Sequence, residues 1–299
     1  MKTIMKAALT SLALILALPA CAQSTPAKDA NDADPALWVV KDADTTIYLF
    51  GTIHVLKPGL SWFDEAVKTA FDKSDQLVLE MVQPDPATMQ QIVVKNGLVM
   101  TGPTLTEQLP ADKRGAYLKA MTDAGLPPQA FDRMKPWLAG VTLSLVPIQK
   151  LGYDPKNGPE TVLADAAKAS GKPVAGLETA EQQISYFNGL SQKAQIEFLT
   201  STVEDMPKAG EEMAKMVDEW AHGDPDALAR DMNESLKDSP EVAKTLLTDR
   251  NARWATWIKD RMAKPGTLFI AVGAGHLAGD DSVQAQLARQ GITAQRIAY

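Results

Sequence analysis

Two of the three histidines in this 299-residue chain stand in the same frame, Gly-x-x-His, each directly after an apolar run. Gly51-Thr52-Ile53-His54 follows Ile47-Tyr48-Leu49-Phe50, and Gly273-Ala274-Gly275-His276 follows Leu268-Phe269-Ile270-Ala271-Val272. An imidazole can ligate a divalent ion or move a proton near neutral pH, so two histidines at matched strand ends are expected to meet in space at a metal or proton-transfer site. Two glutamates have comparable placement: Glu80 closes Leu77-Val78-Leu79, and Glu178 closes Val174-Ala175-Gly176-Leu177. Imidazole and carboxylate donors suit Mn²⁺, Co²⁺ or Zn²⁺ and leave open positions for water. Such an ion lowers the pKa of bound water, and a nearby carboxylate can take its proton as a carbonyl is attacked. A metal-free version, with His as base and Glu as its orienting partner, uses the same residues.

Each residue alone has a plainer explanation. A single Gly-x-x-His is a turn glycine with a hydrogen-bonded histidine, and Glu80 or Glu178 alone is a salt-bridged or helix-starting carboxylate. His222, before Gly223, suits the last turn of a helix. Arg250 could hold a substrate carboxylate or oxyanion, or could bridge Asp249 and a neighbouring helix. Trp254 and Trp257 at helical spacing read as core.

The elements that must position these groups alternate between strand and helix. Residues 38–41 and 46–50 predict a β-hairpin, and Ser61 an N-cap for a helix to 73. Strands follow at 76–81, 174–177, 267–272 and 293–297. Residues 86–151 are mostly helical in pattern, and helices are expected at 160–170 and 282–290. The run 180–264 reads as nearly continuous helix, broken at Gly223-Asp224-Pro225 and Asp238-Ser239-Pro240. The fold expected is α/β: a central mixed sheet flanked by helices, with 180–264 as a large helical insertion or lid. His54, Glu80, Glu178 and His276 then all fall at the carboxyl ends of strands, the edge where open α/β sheets carry their sites.

The N-terminus has the layout of an export signal, with Lys2 and Lys6 before an apolar run from 7 to 18 that is too short to span a bilayer. Ala20-Cys21-Ala22 fits ordinary cleavage, which gives a signal peptide over 1–22. Leu18-Pro19-Ala20-Cys21 resembles a lipobox, which would make Cys21 a lipidated first residue and anchor the protein to a membrane. Both alternatives place the protein outside the cytoplasm, periplasmic or anchored to the outer membrane. Residues 23–36 read as a flexible tether and 37–299 as one domain. Cys21 is the only cysteine, so any metal site must use His, Asp and Glu. The net charge of −7 falls to −9 once Lys2 and Lys6 are removed, and no basic cluster interrupts it, which argues against nucleic acid as a partner.

These residues resemble the bacterial TraB/GumN proteins, related to the animal Tiki-type metalloproteases. The likeness rests on Trp38, on Leu49-Phe50-Gly51-Thr52-Ile53-His54-Val55-Leu56 and on Leu77-Val78-Leu79-Glu80. It continues through Met134-Lys135-Pro136-Trp137, Gly176-Leu177-Glu178-Thr179 with Gln182 or Gln183, Arg250-Asn251, and Val272-Gly273-Ala274-Gly275-His276-Leu277-Ala278-Gly279. What the resemblance implies is a metalloenzyme site with His54, Glu80 and His276 at its core and Glu178 and Arg250 supporting. No His-Glu-x-x-His helix is present, so the common zinc-protease mechanism does not carry over.

The function expected is a divalent-metal-dependent hydrolase of the bacterial envelope, peptidase-like, acting on a peptide or small molecule. His54, His276 and Glu80 would bind the metal, Glu80 or Glu178 would act as base, and Arg250 would position substrate or stabilise an oxyanion. The alternative is a non-catalytic envelope protein that holds a metal, haem or small ligand in the same cleft.

Overall fold

A computed structural model of the chain describes residues 31–236 and 239–298. The signal-peptide and lipobox readings, with Cys21, and residues 23–30 of the tether lie outside the described residues. Residues 31–36 pack onto the domain: Ser61 N–H donates to Asn31 O at 2.8 Å, Asp34 N–H donates to Ala221 O at 2.7 Å, and Ala33 is buried. Ser61 therefore pairs with this incoming segment instead of capping a helix. The helix begins later, at Glu65–Lys73, with Asp64 in the cap position.

Six strands form one sheet: β1 (Leu37–Lys41), β2 (Thr45–Thr52), β3 (Gln76–Met81), β4 (Val174–Glu178), β5 (Gly266–Gly273) and β6 (Gln295–Ile297). Their order is β4-β3-β5-β2-β1-β6. β4, β3, β5 and β2 run parallel, while β1 pairs antiparallel with β2 as the expected hairpin and with β6. The mixed sheet is the one the sequence pattern calls for. β2 and β5 are apolar almost throughout because both of their faces are covered.

Alternation along β5 assigns the two layers. Phe269 and Ala271 point into a cluster with Phe50, Leu77, Trp62, Phe71 and Trp220. Leu268, Ile270 and Val272 point the other way, towards Trp254, Ile258 and Leu287. Each fully buried side chain of this size contributes about 1.5–3 kcal/mol relative to exposure. A third cluster lies among helices alone: Leu105, Tyr117 and Met121 pack against Leu143 and Leu199.

The helical run after β4 does more than cover the sheet. Trp220, on the helix Ala209–Ala221, is buried under β2, and its indole N–H donates to Gly51 O at 2.7 Å. The helix Asp249–Arg261 lays Trp254, Ala255 and Ile258 on the opposite face. Trp257 departs from the expected core role and is exposed, as its side of that helix faces away from the sheet. Among the described residues no helix is long and apolar enough to cross a membrane.

Candidate functional site

Because β2, β3, β4 and β5 are parallel, their carboxyl ends share one edge of the sheet, and the polar residues named from sequence gather there. His54 stands two residues beyond β2, Glu80 is near the end of β3, Glu178 closes β4, and His276 lies on a single 3₁₀ turn, Ala274–Leu277, directly after β5. Gly273 is at their centre. A Cβ there would lie 3.1 Å from Glu80 Oε1 and 3.6 Å from both the His276 and His54 rings, so only glycine leaves this space open.

Arg250 ties the two glutamates together. Its Nε donates to Glu178 Oε1 and Oε2 at 3.0 and 3.1 Å, and its Nη2 donates to Glu178 Oε2 and Glu80 Oε2, both at 2.7 Å. Its Nη1 donates to Leu246 O at 3.2 Å and lies 3.1 Å from His276 Nε2. The guanidinium is buried with its donors engaged, whereas Asp249 pairs with Lys244. A five-residue π-turn, Lys244–Thr248, precedes it and presents the Leu246 carbonyl. Gln183 Nε2 joins the same carboxylates, at 3.2 Å from Glu80 Oε2 and 3.3 Å from Glu178 Oε2. The Trp254 indole donates to Glu178 Oε1 at 3.1 Å and its ring packs 4.4 Å from that of His276, so this tryptophan is a wall of the site as well as core.

The protonation of each group follows from its neighbours. Burial pushes His276 down to about 4, helped by Arg250 and opposed by Glu80, so its imidazole is neutral at pH 7. Arg250 can only donate, so His276 Nε2 accepts and Nδ1 carries the proton, which goes to Asn251 Oδ1 at 2.6 Å. Asn251 is oriented in turn by its amide, which donates to Asp281 O at 2.8 Å. Burial alone would raise the Glu80 carboxyl, but His276, Arg250, His54 and the Gly273 N–H, which donates to Oε1 at 2.6 Å, together hold it at about 2. Glu80 is ionised throughout the neutral range.

His54 has a partner absent from the sequence reading. Its Nδ1 donates to Glu160 Oε1 at 2.6 Å, and the same oxygen accepts the Thr52 hydroxyl at 2.5 Å. Glu160 sits at the start of the helix Pro159–Ala169. The Glu160 hydrogen bond pushes His54 up to about 9 against its own desolvation. The His54 side chain is nonetheless 71% exposed, so solvent screens that charge and it adds little to stability. Glu160 is held below the usual carboxylate range: burial raises it, but the hydrogen bonds from His54 and Thr52 prevail. His222 caps the helix Ala209–Ala221 on the surface, with Nδ1 2.8 Å from Asp218 O.

A model of the TraB/PrgY/gumN family matches residues 36–296, nearly all of the described fold. The chain belongs to the TraB/PrgY/gumN family. Two bacterial relatives match over most of the chain. The Escherichia coli (strain K12) protein named "Uncharacterized protein YbaP" is 24% identical over 257 residues, covering 85% of this chain and 92% of its own. An "Uncharacterized protein" of Treponema pallidum (strain Nichols) is 20% identical over 260 residues, covering 82% and 78%. No solved structure matches the chain. In this TraB/PrgY/gumN member the sequence-selected residues His54, Glu80, Glu178, Arg250 and His276 share one sheet edge. Glu160, Gln183 and Asn251 complete the cluster through side-chain hydrogen bonds to Glu80, Glu178 and the two histidines.

Among the described residues no three His, Cys, Asp or Glu side chains form a ready cation cage, and Arg250 stands among the donors. The donor chemistry itself fits a divalent ion. Both histidines hold a proton on Nδ1 against Glu160 or Asn251; His276 keeps Nε2 unprotonated, whereas His54, raised to about 9, carries a second proton on Nε2 that an incoming ion would have to displace.

Proposed function

We propose that this protein is a metal-dependent hydrolase of the bacterial envelope acting on peptides, with His54 Nε2, His276 Nε2 and Glu80 Oε1 as the residues that hold the ion. The observation that carries this reading is the shared Nδ1 hydrogen bond: each ring gives its Nδ1 proton to an oriented acceptor, the arrangement that fixes metal-binding histidines, and His54 would shed its Nε2 proton on binding the ion. A divalent ion supplies Lewis acidity and lowers the pKa of water. The chain's own residues do the rest. Arg250 and the Gly273 amide keep Glu80 ionised and aimed, Gln183 spaces Glu80 from Glu178, and Trp254 shields the buried carboxylate from water. Glu178 accepts from Arg250, Trp254 and Gln183, so it acts as a support, and Glu80 is the acid nearer the open space. For His276 Nε2 to hold an ion, Arg250 Nη1 would have to give up its 3.1 Å contact there.

A second reading has its own observation. The 2.6 Å His54–Glu160 pair is an imidazole oriented by a carboxylate, which can move a proton without any ion. Metal analysis separates the two. The metal reading expects near-stoichiometric divalent ion in purified protein, lost from folded His54→Ala and His276→Ala. Unchanged metal content in both variants, or none in the wild type under Mn²⁺, Co²⁺ and Zn²⁺, removes it. Metal-stimulated cleavage of a peptide and ester library separates an enzyme from a protein that only binds. The envelope location rests on the pattern of residues 1–22, and mass spectrometry of the mature N-terminus tests it.

A further inference from the structure

β4 is the last strand on its side of the sheet, and its own sequence carries no charge or proline before its final residue. The opposite edge strand, β6, has three residues and a charged Arg296, whereas β4 is Val174-Ala175-Gly176-Leu177-Glu178, uncharged until its final residue. Edge strands without charge, proline or a bulge are templates for another strand. The ladder on the inner side shows which groups are free. Leu77 N–H donates to Pro173 O in a register that opposes Leu77 to Val174 and Leu79 to Gly176. In a parallel ladder of this register the bonds to β3 fall to residues 173, 175 and 177, so the N–H and C=O of Val174, Gly176 and Glu178 point outward.

Gly176, in the middle of that outward row, is exposed and has no side chain to screen its backbone. A Cβ there would lie 2.8 Å from Glu178 O and 3.1 Å from Val82 N, so the bend of β4 at Glu178, together with the chain leaving β3, enforces the glycine. Beside the edge lies a cavity of about 700 Å³, within the range of ligand pockets (about 300–1,000 Å³). Its far wall is the helix Pro86–Gly97, which presents Gln91, Ile92 and Lys95. Val82, 47% exposed, and Leu177 give it an apolar lining, and Glu181 and Lys95 both border it. A groove with a free main-chain row, an apolar seat and one charge of each sign suits an extended polypeptide: amide and carbonyl groups to pair, alternate side chains to lodge, and charged groups for both walls.

We infer that an extended peptide segment docks along β4 as an added strand, paired with Val174, Gly176 and Glu178, and that this groove is where the substrate chain of the proposed hydrolase is held. The inference rests on the peptide-hydrolase reading for its substrate, though the docking is separable from turnover. The strand ends at Glu178, which Arg250 joins to Glu80, so a chain paired there arrives beside the catalytic cluster.

Hydrogen exchange tests this on the full chain with metal chelated, so that no probe is consumed. The probe is a fluorescein-labelled set of ten-residue peptides alternating Val or Thr with Lys or Glu, together with the same peptides N-methylated at every second residue. The plain peptides are expected to slow exchange of the Gly176 and Glu178 amides at least tenfold, and the N-methylated ones to leave it unchanged. Val82→Asp, outside the catalytic cluster, should weaken peptide affinity at least tenfold while exchange in β2 and β5 stays as in the wild type. Unprotected amides, equal protection by N-methylated peptides, or protection that needs no peptide and grows with protein concentration each overturn the docking, the last pointing to a second copy of this chain. Protection without turnover when metal is restored counts against the hydrolase reading alone. Turnover without protection counts against the docking alone.

Discussion

Arg250 clasps Glu178 through both Nε and Nη2, and the same Nη2 reaches Glu80 at 2.7 Å, so a single buried cation balances two buried carboxylates from neighbouring strands. Removing it would leave both acids without compensation in a site closed by Trp254. Breaking a buried pair from one side costs about 3–5 kcal/mol. Arg250→Met is expected to lose stability of that order in chemical denaturation. Arg250→Lys should recover only part, since an ammonium cannot make the forked contact to Glu178. A loss below about 1 kcal/mol for Arg250→Met would show that the clasp contributes little.

Acid should destabilise the metal-depleted protein in two steps. The His276 folded-state pKa is about 4 against an ordinary 6.5, so the unfolded chain takes up this proton first and stability falls between pH 6.5 and 4. The Glu80 pKa is about 2 against 4.5, so its contribution is complete above pH 4.5 and is lost as pH falls towards 2. Each group is worth on the order of 3 kcal/mol across its window. Melting temperature against pH is the measurement: in Asn251→Ala the upper step should change while the lower persists, and in His276→Gln the upper step should vanish while the lower moves up towards the ordinary glutamate value.

Glu160→Gln keeps an oxygen for His54 Nδ1 and removes the negative charge. In metal-depleted protein the His54 ring should then titrate clearly below its value of about 9, as followed by NMR of the ring Cε1–H. Loss of an orienting partner of this kind lowers metal affinity or activity about 10–100-fold. An unmoved His54 titration would mean that Glu160 does not set its charge.

Gly273→Ala places a methyl 3.1 Å from Glu80 Oε1, tighter than ordinary contact. The carboxylate must swing away from the Gly273 amide, at a cost of about 1–3 kcal/mol for overpacking. Activity should fall more than stability, because the methyl also fills the space between His54 and His276. Wild-type kinetics in a variant of normal stability would remove Gly273 from the centre of the site.

The strands and the residues at their ends were legible in the sequence because both are local properties. An apolar run of five to eight residues bounded by polar or glycine residues marks a strand wherever it lies, and β3 falls on the expected span, 76–81. The ends of helices were less legible. Ser61 has the chemistry of an N-cap, yet residues 31–33 claim its backbone, and no local pattern announces a partner 28 or more residues upstream. The site divides in the same way. His54, Glu80, Glu178 and His276 declare themselves by their place after apolar runs. Glu160 is one acid among many at a helix start, and it matters only because its helix ends against Thr52 and His54. Gln183 and Asn251 have no signature apart from the family likeness, and Arg250 fitted two roles until its neighbours were known. Sequence by itself determined which segments are strands and what chemistry each delivers to its carboxyl end, since backbone propensity and burial pattern act over a few residues. Only the tertiary structure decided which side chains share protons and charge, because the order β4-β3-β5-β2 and the helix carrying Arg250 are set by packing between residues far apart in the chain, and a hydrogen bond exists only once both partners are held within its short reach.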